Sequence, residues 1–215
     1  MKLKNLEIKL TNIKGLTENK TLVIPSFFPL YAWENKQINE LFVDLNNSFK
    51  EGSDYFMGGL LSTNFDENNF YIFEGINRLT TILHILKEFS NLENINQNTK
   101  KEINNVCFNQ DIERLLIETN SGELKPPLIP NSTKKHIKDI ITQHYGKWSA
   151  EELEAFIIFH IHNNFFIFRN IDSLNQENKT ETFIGVLNIH KQLNSRGKKF
   201  NVEEINDIIN TLKNK

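Results

Sequence analysis

Residues 71–81 read YIFEGINRLTT, and this short stretch decides how the chain folds. Its first letters continue a run of aromatic and aliphatic residues that begins at Phe70 and is typical of a short buried strand. Glu74 and Gly75 follow, and apolar residues at helical spacing begin directly afterwards. A strand that passes through one glycine into a helix predicts a mixed α+β core. The buried stripe of the helix is marked by Leu79, Ile82, Leu83, Leu86 and Phe89.

The junction between this strand and this helix has features that favour the binding of an anion. The first turn of a helix leaves about four backbone N–H groups unpaired and carries roughly half a positive charge, so it readily binds phosphate. Gly75 permits a sharp bend and a close approach to a ligand, and Arg78 can fork onto phosphate. Thr80 and Thr81 add hydroxyl groups nearby. A purely structural explanation also fits, in which Glu74 complements the helix dipole, Gly75 is a turn residue and Arg78 extends into solvent.

Upstream of the junction the sequence predicts strands and one helix. Residues 6–10 alternate aliphatic and polar side chains, the pattern of a half-buried strand with Leu6, Ile8 and Leu10 facing inward. Gly52 is placed to end the helix that precedes the junction. The other elements predicted here are strands at 22–24 and 55–61 and an amphipathic helix over 38–49.

Downstream of the junction the pattern becomes mainly helical. The polar stretch 91–105 predicts a loop or a frayed helix, and the proline-rich residues 125–130 predict an extended connector. Ser149 and Glu152 form a capping box that begins a helix. Nothing resembles an internal repeat or a linker, so we expect one mixed domain. The other predicted elements are helices at 112–117, at 137–144, at 179–193 and from 201, and a strand at 164–171.

Composition and charge exclude several classes of protein. The 215 residues carry a net charge of −2. A broad polyanion-binding surface needs an excess of positive charge, so any DNA contact should be local. The single cysteine, Cys107, is expected to be buried and agrees with a reducing cytoplasm. The six histidines show no ligand spacing, so no metal site is predicted. No apolar run reaches the roughly 20 residues that span a bilayer, and we expect a cytoplasmic protein without a membrane partner.

Four short motifs follow one another along the chain. They are IPSFFPLYAW at 24–33, YFMGG at 55–59, EGINRLTT at 74–81 and LNSRGK at 193–198. Their order and spacing resemble those of the N-terminal domain of GmrSD-type, modification-dependent restriction proteins. The third motif is similar to the family's DGQQRLTT, the second to its YFLGS strand and the fourth to its lNsrGk motif. In the first motif, Phe28 and Pro29 stand where the family has glutamine and arginine.

This resemblance implies a ParB/sulfiredoxin-like mixed core formed by residues 1–90 and 181–215, with a mainly helical part at 91–180. In the family, the domain binds and hydrolyses nucleoside triphosphates and gates DNA cleavage by a separate HNH-type nuclease domain. The implied cofactor is a nucleoside triphosphate with Mg²⁺, and the implied partner is an HNH-type domain or subunit. The implied catalytic residues are Glu74 and Arg78, and the implied phosphate-binding residues are Gly75, Asn77, Arg78, Thr80, Asn194 and Arg196.

The departures from the family's motifs bear on activity. Glu74 is one methylene longer than the family's aspartate, which moves the carboxylate by about 1.5 Å where active sites tolerate about 0.5 Å. Ile76 replaces a glutamine, and Phe28 and Pro29 remove a second amide and a second guanidinium. We expect a nucleotide-binding regulatory domain of an anti-phage restriction protein, with impaired hydrolysis. The alternatives are a non-catalytic protein- or DNA-interaction module and, ranked last, a direct ParB-like DNase. Whether the domain is a homo-oligomer stays open.

Overall fold

Helices pack on both faces of one mixed β-sheet in the computed structural model, which describes residues 6–28, 31–109, 112–172 and 178–194. This architecture confirms the predicted α+β class. None of the described helices is long and apolar enough to cross a membrane. The strands are β1 (Leu6–Asn12), β2 (Thr21–Ile24), β3 (Tyr55–Asn64), β4 (Asn69–Glu74), β5 (Phe108–Asn109), β6 (Ile112–Glu113), β7 (Leu115–Glu118), β8 (Leu124–Lys125) and β9 (Asn164–Asp172). The helices are α1 (Ile13–Thr17), α2 (Asn35–Glu51), α3 (Ile76–Ser90), α4 (Gln97–Cys107), α5 (Asn131–Tyr145), α6 (Ala150–Asn163) and α7 (Lys179–Asn194).

The main sheet has seven strands in the order β1-β9-β3-β4-β2-β7-β8, and β5 and β6 form a separate pair. β9 lies antiparallel to β1 and parallel to β3, although it comes far later in the chain than either. β4 is antiparallel to β3 and parallel to β2. The segment 91–180 therefore contributes β7, β8 and β9 to the sheet as well as three helices.

The sheet buries apolar side chains on both of its faces. Neighbouring residues of one strand enter different cores, because side chains alternate between the two faces of a sheet. Leu60 belongs to the larger core with six of the helices, α1 to α6, whereas Leu61 belongs to the smaller core with α7. The larger core also contains Leu22, Ile72, Phe166 and Phe168 from the sheet. The smaller core joins Phe73 and Ile171 to Phe183, Val186 and Leu187.

Several local signals in the sequence are confirmed. α2 ends at Gly52, which has the left-handed φ of 62° that favours glycine at this position. The capping box at the start of α6 is present, with Ser149 and Glu152 exchanging hydrogen bonds between side chain and backbone. Cys107 is buried at the end of α4. The helix predicted from residue 201 lies outside the described residues.

The first strand is present, but its predicted burial is wrong. Leu6, Ile8 and Leu10 are 46%, 61% and 64% exposed. The register with β9 explains this result, because Lys9 and Thr11 pair with the buried residues Phe168 and Phe166 of the larger core. The odd-numbered side chains of β1 therefore face that core, and the aliphatic row faces the other way.

Two predictions in the middle of the chain are also corrected. Residues 112–117 form β6 and β7 instead of a helix, because β7 pairs in parallel with β2 and extends the sheet. The stretch expected to be a loop or a frayed helix contains α4. Asn96 caps that helix by accepting a hydrogen bond from the Thr99 N–H, and Ile103 and Val106 anchor it in the core. Tertiary packing overrides the polar composition here.

Candidate functional site

The candidate site lies where β4 passes into α3 through Gly75. This glycine has a φ of 80°, a left-handed conformation that residues with a side chain rarely adopt. A Cβ at this position would lie 2.4 Å from Cδ2 of Leu60 and 2.7 Å from the backbone oxygen of Gly59. The junction therefore presses against β3, and only glycine allows so close an approach.

The first turn of α3 presents backbone N–H groups that could bind an anion. The first hydrogen bond within the helix runs from the Leu79 N–H to the Gly75 carbonyl oxygen, at 3.0 Å. Because Gly75 has no side chain, no side-chain hydrogen bond caps this turn, and the turn contains no acidic residue. The amides of residues 76–78 thus keep the partial positive charge of a helix terminus.

Arg78 lies along the glycine pair of β3. Its Nη1 donates a hydrogen bond to the Met57 carbonyl oxygen at 2.5 Å. A Cβ on Gly58, whose φ is 98°, would lie 1.6 Å from that Nη1. The register of β3 against β9 shifts between Phe56 and Gly58, a bulge that makes room for the guanidinium. Arg78 is exposed and forms no salt bridge with a described residue, so its other N–H groups are available to a ligand.

A second guanidinium reaches the junction from β9. Arg169 Nη2 forms an ion pair with Glu74, and the two side chains are 19% and 26% exposed. A Cβ on Gly59 would lie 2.8 Å from Nη2 of Arg169 and 3.5 Å from Oε1 of Glu74. Gly58 and Gly59 therefore each contact one guanidinium, and a side chain on either glycine would displace it.

Arg169 is a residue of the site that no sequence motif indicates. The motifs indicate residues 74–78 and 194–196, whereas Arg169 comes from the strand predicted at 164–171, which contains none of the four motifs. One signal could have found it. Arg169 is the only charged residue in the aromatic and aliphatic run 164–171, and a charge inside such a strand needs a partner.

The two arginines affect the ionisation of nearby buried groups. Burial, together with the positive charge of Arg169, lowers the pKa of His190 in α7 to about 4. Burial, reinforced by a 2.7 Å hydrogen bond to Asp44, raises the pKa of Tyr55 well above its usual value, and the charge of Arg78 opposes that rise. Both arginines thus lie close enough to influence titratable groups on neighbouring elements.

Asn77 connects the first turn of α3 to the segment that precedes α2. Its Oδ1 accepts a hydrogen bond from the Ala32 N–H at 3.0 Å. Its backbone oxygen accepts from the Thr81 hydroxyl at 2.7 Å, and that hydroxyl lies 2.7 Å from the hydroxyl of Tyr31. The amide of Asn77 therefore positions the protein's own backbone beside the junction.

The other candidate residues do not gather at the junction in the described part of the chain. Thr80 is 3% exposed and lines a separate cavity beside α3. Phe28 packs edge-on against Phe73 with 5.6 Å between the ring centres, so the position where the family has glutamine now serves the smaller core. The side chain of Asn194, and all of Arg196, lie outside the described residues. Within the described residues, no group of three or more His, Cys, Asp or Glu could hold a metal ion.

A family model for the N-terminal domain of GmrSD restriction endonuclease matches residues 12–209. The chain belongs to this family. No curated protein matches it. Two GmrSD motifs that are separate in the sequence meet at the junction, because YFMGG supplies Gly58 and Gly59 while EGINRLTT supplies Glu74, Gly75 and Arg78.

Proposed function

We propose that this chain is the nucleotide-responsive domain of a restriction protein of the defence type, and that the phosphates of a nucleoside triphosphate bind at the first turn of α3. One observation carries the proposal. Arg78 stands in an uncapped helical turn, exposed and without a salt bridge to a described acid, next to a strand whose glycines leave space. A cation is unfavourable at a helix N-terminus unless an anion shares the turn.

The binding mode follows from these groups. The amides of residues 76–78 would donate to phosphate oxygens, and Arg78 would add a bidentate, charge-assisted contact. Gly75 would let the backbone approach the phosphates closely. Asn77 would act indirectly, since it holds the segment around Ala32 in place.

We expect the substitutions in the motifs to impair hydrolysis of the triphosphate more than its binding. Glu74, the acid nearest the junction, is engaged by Arg169, so it is less able to share its charge with Mg²⁺ or a water molecule. The side chain of Ile76 has no polar atom, and Phe28 packs in an aromatic cluster. Phosphoryl transfer depends on positioned charge, and losing one arginine can lower the rate by several powers of ten. DNA cleavage would then fall to an HNH-type domain or subunit that senses the nucleotide state.

A second candidate function is that of a non-catalytic interaction module. The exposed aliphatic row of Leu6, Ile8 and Leu10 favours it, because a row of large apolar side chains on an edge strand is a common contact surface for proteins. In this case the junction would be a remnant that no nucleotide occupies.

Thermal denaturation with ATP, GTP, CTP and UTP, each with Mg²⁺, separates these candidates. We expect at least one triphosphate to stabilise the protein and the Arg78→Ala variant to lose that response. Lys138→Ala is the matched control, since Lys138 is an exposed cation on α5, and it should respond like the wild type. Indifference to all four triphosphates would favour the interaction module. Metal-dependent nicking of a plasmid by this chain alone would instead support a direct DNase.

A further inference from the structure

A cavity lies on another side of α3, away from the β4–α3 junction. We call it the α3–α5 cavity; it has a volume of about 100 Å³ and is lined by Thr80, His84, Lys87, Glu113 and Lys134, with prolines 126 and 127 at one wall. It is much smaller than the roughly 300–1,000 Å³ of a site for a drug-sized ligand, so it has no room for a nucleotide. Its occupant must be small.

Two of the residues that line this cavity each have a buried polar atom with no hydrogen-bond partner among the described residues. These atoms are the hydroxyl oxygen of Thr80 and Nε2 of His84, on residues that are 3% and 7% exposed. The nearest acid to that imidazole nitrogen is Glu88, whose Oε1 is 3.6 Å away and beyond hydrogen-bonding distance. Buried polar groups are nearly always paired, so these two atoms indicate a polar occupant.

The charges around the cavity indicate that the occupant is an anion. Lys87 is paired with Glu113 at 2.7 Å, but Lys134 has no salt bridge to a described residue. Burial lowers the pKa of His84 to about 4, and the charges of Lys87 and Lys134 act in the same direction. Both amines therefore act on the space around His84, and one positive charge is left without a described counter-charge.

The start of α5 adds to the same field. Pro130 precedes this helix and supplies no side-chain cap, and the first turn contains no acidic residue. Lys134 follows directly after that turn, although cations are unfavourable near a helix N-terminus. An anion in the cavity would offset the charge of Lys134 and the dipole of α5 together.

We propose that the α3–α5 cavity binds a small oxyanion of the size of inorganic phosphate, held by the ammonium groups of Lys134 and Lys87 and by hydrogen bonds from the Thr80 hydroxyl and the His84 imidazole. The imidazole donates when its proton is on Nε2. The site is separate from the proposed triphosphate site, and its occupancy does not depend on whether a nucleotide binds at Arg78.

The test is a titration of the folded protein with sodium phosphate, sodium sulfate or sodium acetate, with sodium chloride at matched ionic strength as the reference. NMR signals of the His84 ring and of the backbone amides of Thr80 and Lys134 report occupancy. We expect a saturable response to at least one oxyanion and none to chloride. A response to acetate alone would identify a carboxylate ligand, and a response to phosphate or sulfate a tetrahedral one.

Four variants show where the anion binds. Lys134→Met should weaken binding by about tenfold or more, because it removes a charge-assisted contact. Lys138→Met, also on α5 but exposed, should bind like the wild type, and so should Arg78→Ala, which alters only the other site. Thr80→Val is a second substitution at a residue that lines the cavity, and it serves as the test if Lys134→Met does not fold. A missing response to all three oxyanions, or one that both cavity variants retain in full, would mean that the cavity holds water only and would overturn the proposal.

Discussion

Glu74, at the end of β4, is bridged to Arg169 of β9 across the intervening strand β3. Leu61 of β3 is the register partner of both residues, so the three lie in one row across the sheet. The ion pair thus connects two strands that do not touch each other directly. It also fixes the acid closest to the proposed triphosphate site.

Replacing Arg169 tests how much this bridge stabilises the fold. Arg169→Met leaves the carboxylate of Glu74 partly buried without its partner, which should lower the free energy of unfolding by about 1–3 kcal/mol. Urea denaturation at pH 7 measures the change. Lys9→Met breaks the exposed pair of Lys9 and Glu7 and should change stability by less than about 0.5 kcal/mol. Equal effects of the two substitutions would contradict a stabilising role of the bridge.

The glycine pair of β3 should tolerate no side chain. Gly58→Ala places a Cβ 1.6 Å from Nη1 of Arg78 and must displace the guanidinium. We expect a loss of stability of about 1–3 kcal/mol and loss of any triphosphate response, measured by thermal denaturation with and without nucleotide.

Gly52→Ala is the control for this substitution. Gly52 also has a positive φ, but a Cβ there would meet nothing within 4 Å. The variant should show only the backbone strain, about 1–2 kcal/mol, and keep the nucleotide response. If Gly58→Ala also kept the response, Arg78 would not be needed in its present place.

Acid should destabilise the protein through its buried histidines. Burial lowers the pKa of His84, His160 and His190 to about 4, against 6.5 for a free histidine. Between these two values the unfolded chain binds protons that the folded chain does not. The contribution of these histidines to the free energy of unfolding is therefore fully present above pH 6.5 and is lost as the pH falls towards 4. Each such proton contributes a slope of about 1.4 kcal/mol per pH unit.

A single substitution tests the share of one histidine. His160 is hydrogen-bonded to Asn164 at 3.1 Å and is 2% exposed, so His160→Gln should flatten the dependence of unfolding free energy on pH between about 6.5 and 4. Urea denaturation at several pH values gives the slope. The exposed His144 supplies the control, and His144→Gln should leave the slope unchanged. A slope that is the same in both variants would assign the acid sensitivity to other groups.

Restoring the family's amide at position 28 should harm the fold. Phe28 packs with Phe27 and Phe73, so Phe28→Gln puts a polar group into an aromatic cluster and should cost about 1–2 kcal/mol of stability. Thermal denaturation compares it with Phe56→Gln, a substitution at a residue that is 56% exposed and should cost little. A Phe28→Gln variant as stable as the control would indicate that position 28 still has space for a polar side chain.

Local signals predicted many of the elements, and register accounts for the error in β1. Gly52 and the Ser149–Glu152 capping box each act within one turn of helix, so the sequence shows them directly. The exposure of Ile8 on β1 could not be predicted in this way, because the pairing of Thr11 with Phe166 decides which face of the strand is buried. An alternating pattern specifies two faces but does not specify which one meets the core.

In the candidate site, too, local signals could be predicted from the sequence and contacts that depend on strand pairing could not. Gly75 and Arg78 lie within four residues of the strand end at Glu74, and the motif predicts them at a helix start, where the structure has them. The pairing of Arg169 with Glu74 could not be predicted in this way, because the contact spans 95 positions of the chain. The pairing of β3 with β9 on one side and with β4 on the other brings the two together.

The place of β9 in the sheet has a consequence for how the protein is made. β1 and β3 are synthesised early, yet neither can complete its pairing until the strand between them, Asn164–Asp172, has left the ribosome. Until then, the nascent chain exposes open strand edges, which are sites of aggregation. Such distant strand pairing also slows folding. We expect this domain to depend on chaperones during synthesis more than a fold of neighbouring hairpins would.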